Sequence, residues 1–113
     1  LASDVKAALN SDSSSLQVVN ALHPSAAVAG TPRDKALEVI EEIENVDRGR
    51  YAGPVGWLGA DGDGVWAIAL RGAQLSNETL TAFAGCGIVA GSDAQAELDE
   101  AILKFKPIVD SLS

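Results

Sequence analysis

At 113 residues, nearly half of them apolar, the chain is long enough for one domain or one piece of a larger domain, and no apolar run approaches the roughly 20 residues of a membrane span. A formal net charge of −8 argues against nucleic acid, whose binding depends on clustered cations, and an anionic ligand needs local cations or a metal to overcome the repulsion. The single cysteine, Cys86, cannot form an intramolecular disulfide, and the first residues are neither basic nor strongly apolar, so a cytoplasmic setting with a reduced thiol is the expectation.

Residues 1–9 alternate loosely and predict a short strand, followed by a polar loop over residues 10–15. Leu16, Val18, Val19 and Leu22 suit a short helix with a serine cap, and the small residues of 23–30 suit a tightly packed connector. Thr31-Pro32-Arg33-Asp34 predicts a helix start with Thr31 as cap and Pro32 in the first turn, running to about Glu44. Its apolar positions Ala36, Leu37, Val39, Ile40 and Ile43 recur at helical spacing. Residues 54–58 and 65–70, separated by Ala60-Asp61-Gly62-Asp63-Gly64, read as a β-hairpin, and residues 79–89 read as a third antiparallel strand after a turn at 76–78. Ser92-Asp93 caps a last helix through Leu112, with Leu98, Ile102, Phe105, Val109 and Leu112 as its buried stripe and Pro107 as a point where it bends or ends. The fold class is α/β in the α+β sense, antiparallel strands flanked by helices.

The most specific local arrangement is on that last helix. Glu97, Glu100 and Lys104 follow one another at spacings of three and four and share one face beside the apolar stripe. Two carboxylates at the edge of a cleft suit a hard cation such as Mg²⁺; an ordinary Glu100 to Lys104 surface pair is the competing reading. Arg71 at a strand end could grip a carboxylate with two hydrogen bonds or stand as an exposed edge charge. Gly85 and Gly87 flank Cys86, and their N–H groups could hold an anion or simply form a bulge. His23 is the sole histidine, so no histidine pair for zinc exists, and a His23 to Cys86 diad is disfavoured by the apolar setting of Cys86. Residues 61–64 lack the glutamate twelve positions on that a calcium loop requires, Gly72 standing there instead, which leaves a hairpin turn.

Taken in order, residues 23–33 (His-Pro-Ser-Ala-Ala-Val-Ala-Gly-Thr-Pro-Arg), residues 47–57 (Asp-Arg-Gly-Arg-Tyr-Ala-Gly-Pro-Val-Gly-Trp), residues 84–89 (Ala-Gly-Cys-Gly-Ile-Val), and Gly91-Ser92-Asp93 through Glu97, Glu100 and Lys104 resemble the isochorismate synthases among the chorismate-utilising enzymes. That resemblance implies that residues 1–113 are the C-terminal part of a chorismate-binding domain, its N-terminal part absent. It implies Mg²⁺ as cofactor, Glu100 as a direct metal ligand and Glu97 as one acting through water. Tyr51, Arg71, Lys104 and the backbone at Gly85 and Gly87 match positions that hold the substrate's carboxylates. Ala27 stands where relatives that eliminate pyruvate resemble a threonine, which favours isochorismate formation. Cys86 replaces a usual alanine, Ser25 a common threonine and Ala94 a common proline, and Cys86 could narrow the pocket.

In the reaction of such enzymes a lysine-activated water attacks the chorismate ring while a glutamic acid protonates the departing hydroxyl. Neither residue has a matching position here, so no catalytic residue is assigned and the isolated chain is expected to be inactive. Three functions follow: part of an isochorismate synthase serving menaquinone or siderophore biosynthesis, part of a salicylate synthase or other chorismate-utilising enzyme, or a free-standing non-catalytic binding module. The expected partner is small-molecule chorismate, with neither nucleic acid nor membrane, and uncovered strand edges and apolar faces favour self-association.

Overall fold

Serine side chains compete with the backbone for hydrogen bonds, which makes them poor inside helices and good at their starts. Ser14 does this for the first helix, α1 (Ser15–Leu22): its hydroxyl accepts from the Gln17 N–H while the Gln17 side chain accepts from the Ser14 N–H, a reciprocal capping box. This computed structural model describes residues 4–9 and 12–112. Residues 4–9 form no strand, contrary to the expectation from their alternation, and residues 1–3 of that expected strand lie outside the described residues. Alternation sets which face a strand would bury, but a strand also needs a neighbour to pair with, and none is placed beside residues 4–9.

The small-residue connector contains a single helical turn, α2 (Ala26–Ala29), which ends at Gly30 with φ of 97°. It leads into α3 (Arg33–Ile43). The start of α3 is shifted by one residue from the expected one: Pro32, in extended backbone, is the cap, its carbonyl accepts from the Ala36 N–H at 3.0 Å, and Thr31 makes no capping bond. Asp34 in the first turn supplies the favourable charge at the helix N-terminus.

The expected hairpin is present as β1 (Pro54–Leu58) and β2 (Gly64–Ile68), antiparallel with Gly56 opposite Trp66. Any side chain at position 56 would collide with the Val65 carbonyl and the Trp66 ring, so glycine is what lets the indole lie across the ribbon. Asp61 shapes the connecting turn by accepting from the Asp63 N–H at 3.1 Å. The turn also receives α1: the Ser15 N–H donates to the Gly62 carbonyl at 2.9 Å, and the Trp66 indole N–H reaches the Ser15 hydroxyl at 3.3 Å. Pairing runs on past the strands, with Ala52 donating to Ala69 and Ala69 to Gly53.

Instead of a third strand joined to this ribbon, a second, separate hairpin follows, β3 (Ala73–Ser76) with β4 (Thr79–Ala82). The expected strand over 79–89 thus stops at Ala82, and residues 84–89 have no regular structure, because Gly85 and Gly87 favour neither strand nor helix. The last helix, α4 (Ala94–Asp110), starts at Asp93, whose carboxylate accepts from the Ala96 N–H at 2.9 Å. It runs on through Pro107, which lies in the last turn and has no N–H to donate to the carbonyl four residues back. The expected buried stripe of α4 is not buried: Ile102 is 56% exposed, and Leu98, Val109 and Leu112 are similarly open. Only Ala29 and Ala52 are buried among the described residues, so the apolar faces of this α+β architecture are arranged but largely uncovered.

Candidate active site

The residues assigned to substrate binding come from five separate places in the chain. Ala27 lies in α2, Tyr51 in the turn before β1, Arg71 between β2 and β3, Gly85 and Gly87 after β4, and Lys104 on α4. All six line one cavity of about 840 Å³. Tyr51 stacks on Phe83 with ring centroids 5.5 Å apart, and the Arg48 guanidinium sits over the Tyr51 ring, 5.9 Å from its centroid. Arg48 is in turn held by a two-point ion pair with Glu44, whose carboxyl is drawn below its ordinary value of 4.5 chiefly by the hydrogen bond from that guanidinium.

Four of the chain's eight Lys and Arg residues, Lys35, Arg48, Arg71 and Lys104, line this cavity, against one carboxylate, Glu44. A chain of net charge −8 therefore has a locally cationic cavity, which is what an anionic ligand requires. Neither Lys35 nor Arg48 is a candidate from the sequence alone, although Arg48 lies three residues before Tyr51 within the motif at 47–57. Arg71 adopts a left-handed backbone, φ 57°, unusual for a bulky residue, and its guanidinium has neither ion pair nor hydrogen bond among the described residues. It is the cavity's uncommitted cation.

Lys104, only 20% exposed, donates to the Gly85 carbonyl at 2.7 Å and pairs with Glu100 at 2.6 Å. That contact ties α4 to the irregular segment 84–89, and a Cβ at Gly85 would stand 3.5 Å from the Tyr51 hydroxyl. Around Gly87 the space is open. Neither glycine sits in a strand, so the reading of a strand bulge does not apply; both border the cavity in extended or irregular chain.

Glu97 and Glu100 lie one turn apart on α4 and do not themselves line the cavity; they adjoin it through Lys104 and Cys86. Glu97 accepts from the Ser92 hydroxyl at 2.8 Å, and the half-buried Cys86 thiol donates to the Glu97 backbone carbonyl at 3.2 Å. Hydrogen bonding by Cys86 and by Ser92 holds the Glu97 carboxyl below its ordinary range, and the same proximity to Glu97 pushes the Cys86 thiol up. The Ser92 contact is the firmer of the two, because it reaches the carboxylate itself. A thiol so shifted is not a nucleophile, and His23 is not on the cavity wall, which disposes of a diad. As for a metal, no group of three or more His, Cys, Asp or Glu side chains converges among the described residues. Two carboxylates one turn apart nevertheless fit Mg²⁺, which takes one or two protein carboxylates and fills its octahedron with waters and substrate oxygens.

The cationic side chains on this cavity wall suit a small anionic ligand. Residues 1–113 match the family of chorismate binding enzymes, and the chain belongs to it. It is 42% identical to the isochorismate synthase DhbC of Bacillus subtilis over 99% of this chain and 28% of that protein, and 39% identical to the isochorismate synthase MenF of the same species over 92% of this chain and 22% of that protein. A solved structure under the name of the 2,3-dihydroxybenzoate-specific isochorismate synthase DhbC from Bacillus anthracis superposes with a TM-score of 0.86 at 42% identity, covering 91% of this chain and 28% of that one. The chain thus spans about a quarter of the length of these relatives.

Proposed function

We propose that this chain forms one wall of a cytoplasmic isochorismate synthase, which converts chorismate to isochorismate with Mg²⁺. The observation that carries the reading is the cavity: six residues from five parts of the chain converge on it, and four cations face it against one carboxylate. Chorismate carries two carboxylates, so Arg71 and Lys104, with the N–H groups at Gly85 and Gly87, provide charge-assisted hydrogen bonds to hold it. Tyr51, held by contacts to Arg48 and Phe83, shapes the wall beside Gly85. Position 27 itself presents a methyl rather than a hydroxyl to the cavity, which supports isomerisation without pyruvate loss. Glu100 and Glu97 would hold Mg²⁺, which when bound supplies positive charge to a substrate carboxylate. The general base and acid belong to chain beyond these 113 residues.

Two assays with chorismate and Mg²⁺ test this. The isolated chain is expected to give no turnover, and the protein carrying the same wall together with the acid and base segment is expected to give isochorismate. Turnover by the isolated chain would overturn the assignment of the acid and base elsewhere. Salicylate plus pyruvate from the longer protein would establish the salicylate synthase alternative, and chorismate binding with no conversion in either would leave a non-catalytic binding module.

A further inference from the structure

Ser92 makes more hydrogen bonds than a residue before a helix needs. The start of α4 is already satisfied by Asp93, whose carboxylate takes the Ala96 N–H, so the Ser92 hydroxyl is not required as a cap. Gly91, with φ of 90°, turns the chain so that Ser92 folds back on Val89. The Ser92 N–H donates to the Val89 carbonyl at 3.0 Å, and the Val89 N–H donates to the Ser92 hydroxyl oxygen at 3.1 Å. A hydroxyl whose oxygen is already accepting from a fixed N–H has its one proton directed elsewhere. That proton goes to Glu97 Oε1, 2.8 Å away.

We infer that Ser92 is a positioning residue for Glu97: it holds one carboxylate oxygen in place and so orients the group for a divalent cation. The inference rests on the proposed reading of Glu97 as a carboxylate near the metal. The contrast with Glu100 supports it. Glu100 is 57% exposed and among the described residues pairs with the Lys104 ammonium, whereas Glu97 is half-buried and is tethered to the turn at 89–92 through its side chain and to Cys86 through its backbone. One carboxylate is thus oriented in advance, and the other is free to swing from Lys104 to the ion. Partners of this kind, which orient a metal-binding carboxylate without touching the metal, typically change metal affinity by about 10- to 100-fold when removed.

The test is Mn²⁺ binding by the 113-residue chain and by the longer protein, followed by electron paramagnetic resonance, in two variants of equal shape. Ser92→Thr keeps the hydroxyl and Ser92→Val replaces it with a methyl, so the pair differs by the hydroxyl's two hydrogen bonds, the one to Glu97 and the one from the Val89 N–H. The expected result is that Ser92→Thr binds Mn²⁺ within about 3-fold of the parent while Ser92→Val loses about 10-fold or more, with equal helical circular dichroism. A second readout needs no metal: the ¹³C carboxyl resonance of Glu97 is expected to move in Ser92→Val and to hold in Ser92→Thr. Equal Mn²⁺ affinity in the two variants, with Glu97→Gln still weakening it, would overturn the positioning role and leave the metal reading intact. Unchanged affinity in Glu97→Gln would instead overturn the metal reading on which the inference stands.

Discussion

Arg48 shows how one side chain links stability to the cavity. Its guanidinium pairs with Glu44 and covers Tyr51, which stacks on Phe83, so the ion pair helps hold an aromatic wall in position. Because the Glu44 carboxyl is held below 4.5 by that guanidinium, the pair contributes stability above the unfolded-state value and loses it as pH falls through the lowered one. Both side chains are about a third exposed, so solvent screening limits the effect to about 0.5 kcal/mol. The expected outcome is a urea midpoint that drops as pH falls below the ordinary carboxylate range and through the lowered Glu44 value, and an Arg48→Ala variant whose curve lacks this part of the acid dependence. Glu97 shifts in the same direction, so its contribution is lost over the same acid range and remains in Arg48→Ala. Arg71 belongs to the same scale: a left-handed bulky residue costs stability, and its retention on the cavity wall is consistent with the use proposed for its guanidinium.

At the level of elements, each hairpin has its own turn chemistry. The β3–β4 hairpin turns on Asn77 and Glu78, both left-handed with φ of 47° and 66°. Asn tolerates this backbone, as does Gly, but Glu at the second position places its Cβ against the chain. Glu78→Gly, which creates the preferred Asn-Gly pair, is therefore expected to raise stability by about 0.5–1 kcal/mol, read as a higher urea midpoint, with no change in ligand binding because residue 78 is not on the cavity wall. A lower midpoint would show that the local strain is relieved elsewhere in the hairpin. The longest helix, α4, is attached chiefly at its start: Asp93 caps it, while Lys104 to Gly85 and Cys86 to Glu97 fasten one side to residues 84–89. Those few polar contacts place the carboxylates beside the cavity even though the apolar stripe of the helix has no cover.

Across the whole molecule, the exposed surface is 9240 Å², against about 5,800 Å² expected for a folded monomer of 11.6 kDa. The radius of gyration of 16.6 Å likewise exceeds the roughly 13 Å of a compact domain of this length. Much of the difference is apolar: Trp57 is 59% exposed on β1, and Ile102 and Leu103 are open on α4. The excess exceeds the roughly 1,600 Å² of a standard interface, so the isolated 113-residue chain is expected to self-associate in sedimentation velocity at tens of micromolar. A monomer with native-like circular dichroism under those conditions would contradict this. Paired strand edges offer a second route, since both edges of each two-stranded ribbon are unpaired in this chain.

Local chemistry was legible from the residues alone. The cap at Asp93, a serine cap on α1 one residue from its place at Ser14, the amphipathic run of α3, the β1–β2 hairpin and the one-face spacing of Glu97, Glu100 and Lys104 are all set by contacts within a few residues, so spacing is enough to read them. The ordered motifs likewise pointed to the chorismate-binding family, to which the chain belongs. What needed the tertiary structure was everything that depends on distant partners. A strand at residues 4–9, a third strand joined to the first hairpin and a buried stripe on α4 were all expected from patterns that say which face would pack, and none formed, because packing requires a neighbour that pattern does not supply. The convergence of Lys35, Arg48, Arg71 and Lys104 on one cavity was equally invisible in a chain whose summed charge is −8, since a net charge has no position and only the fold gives it one.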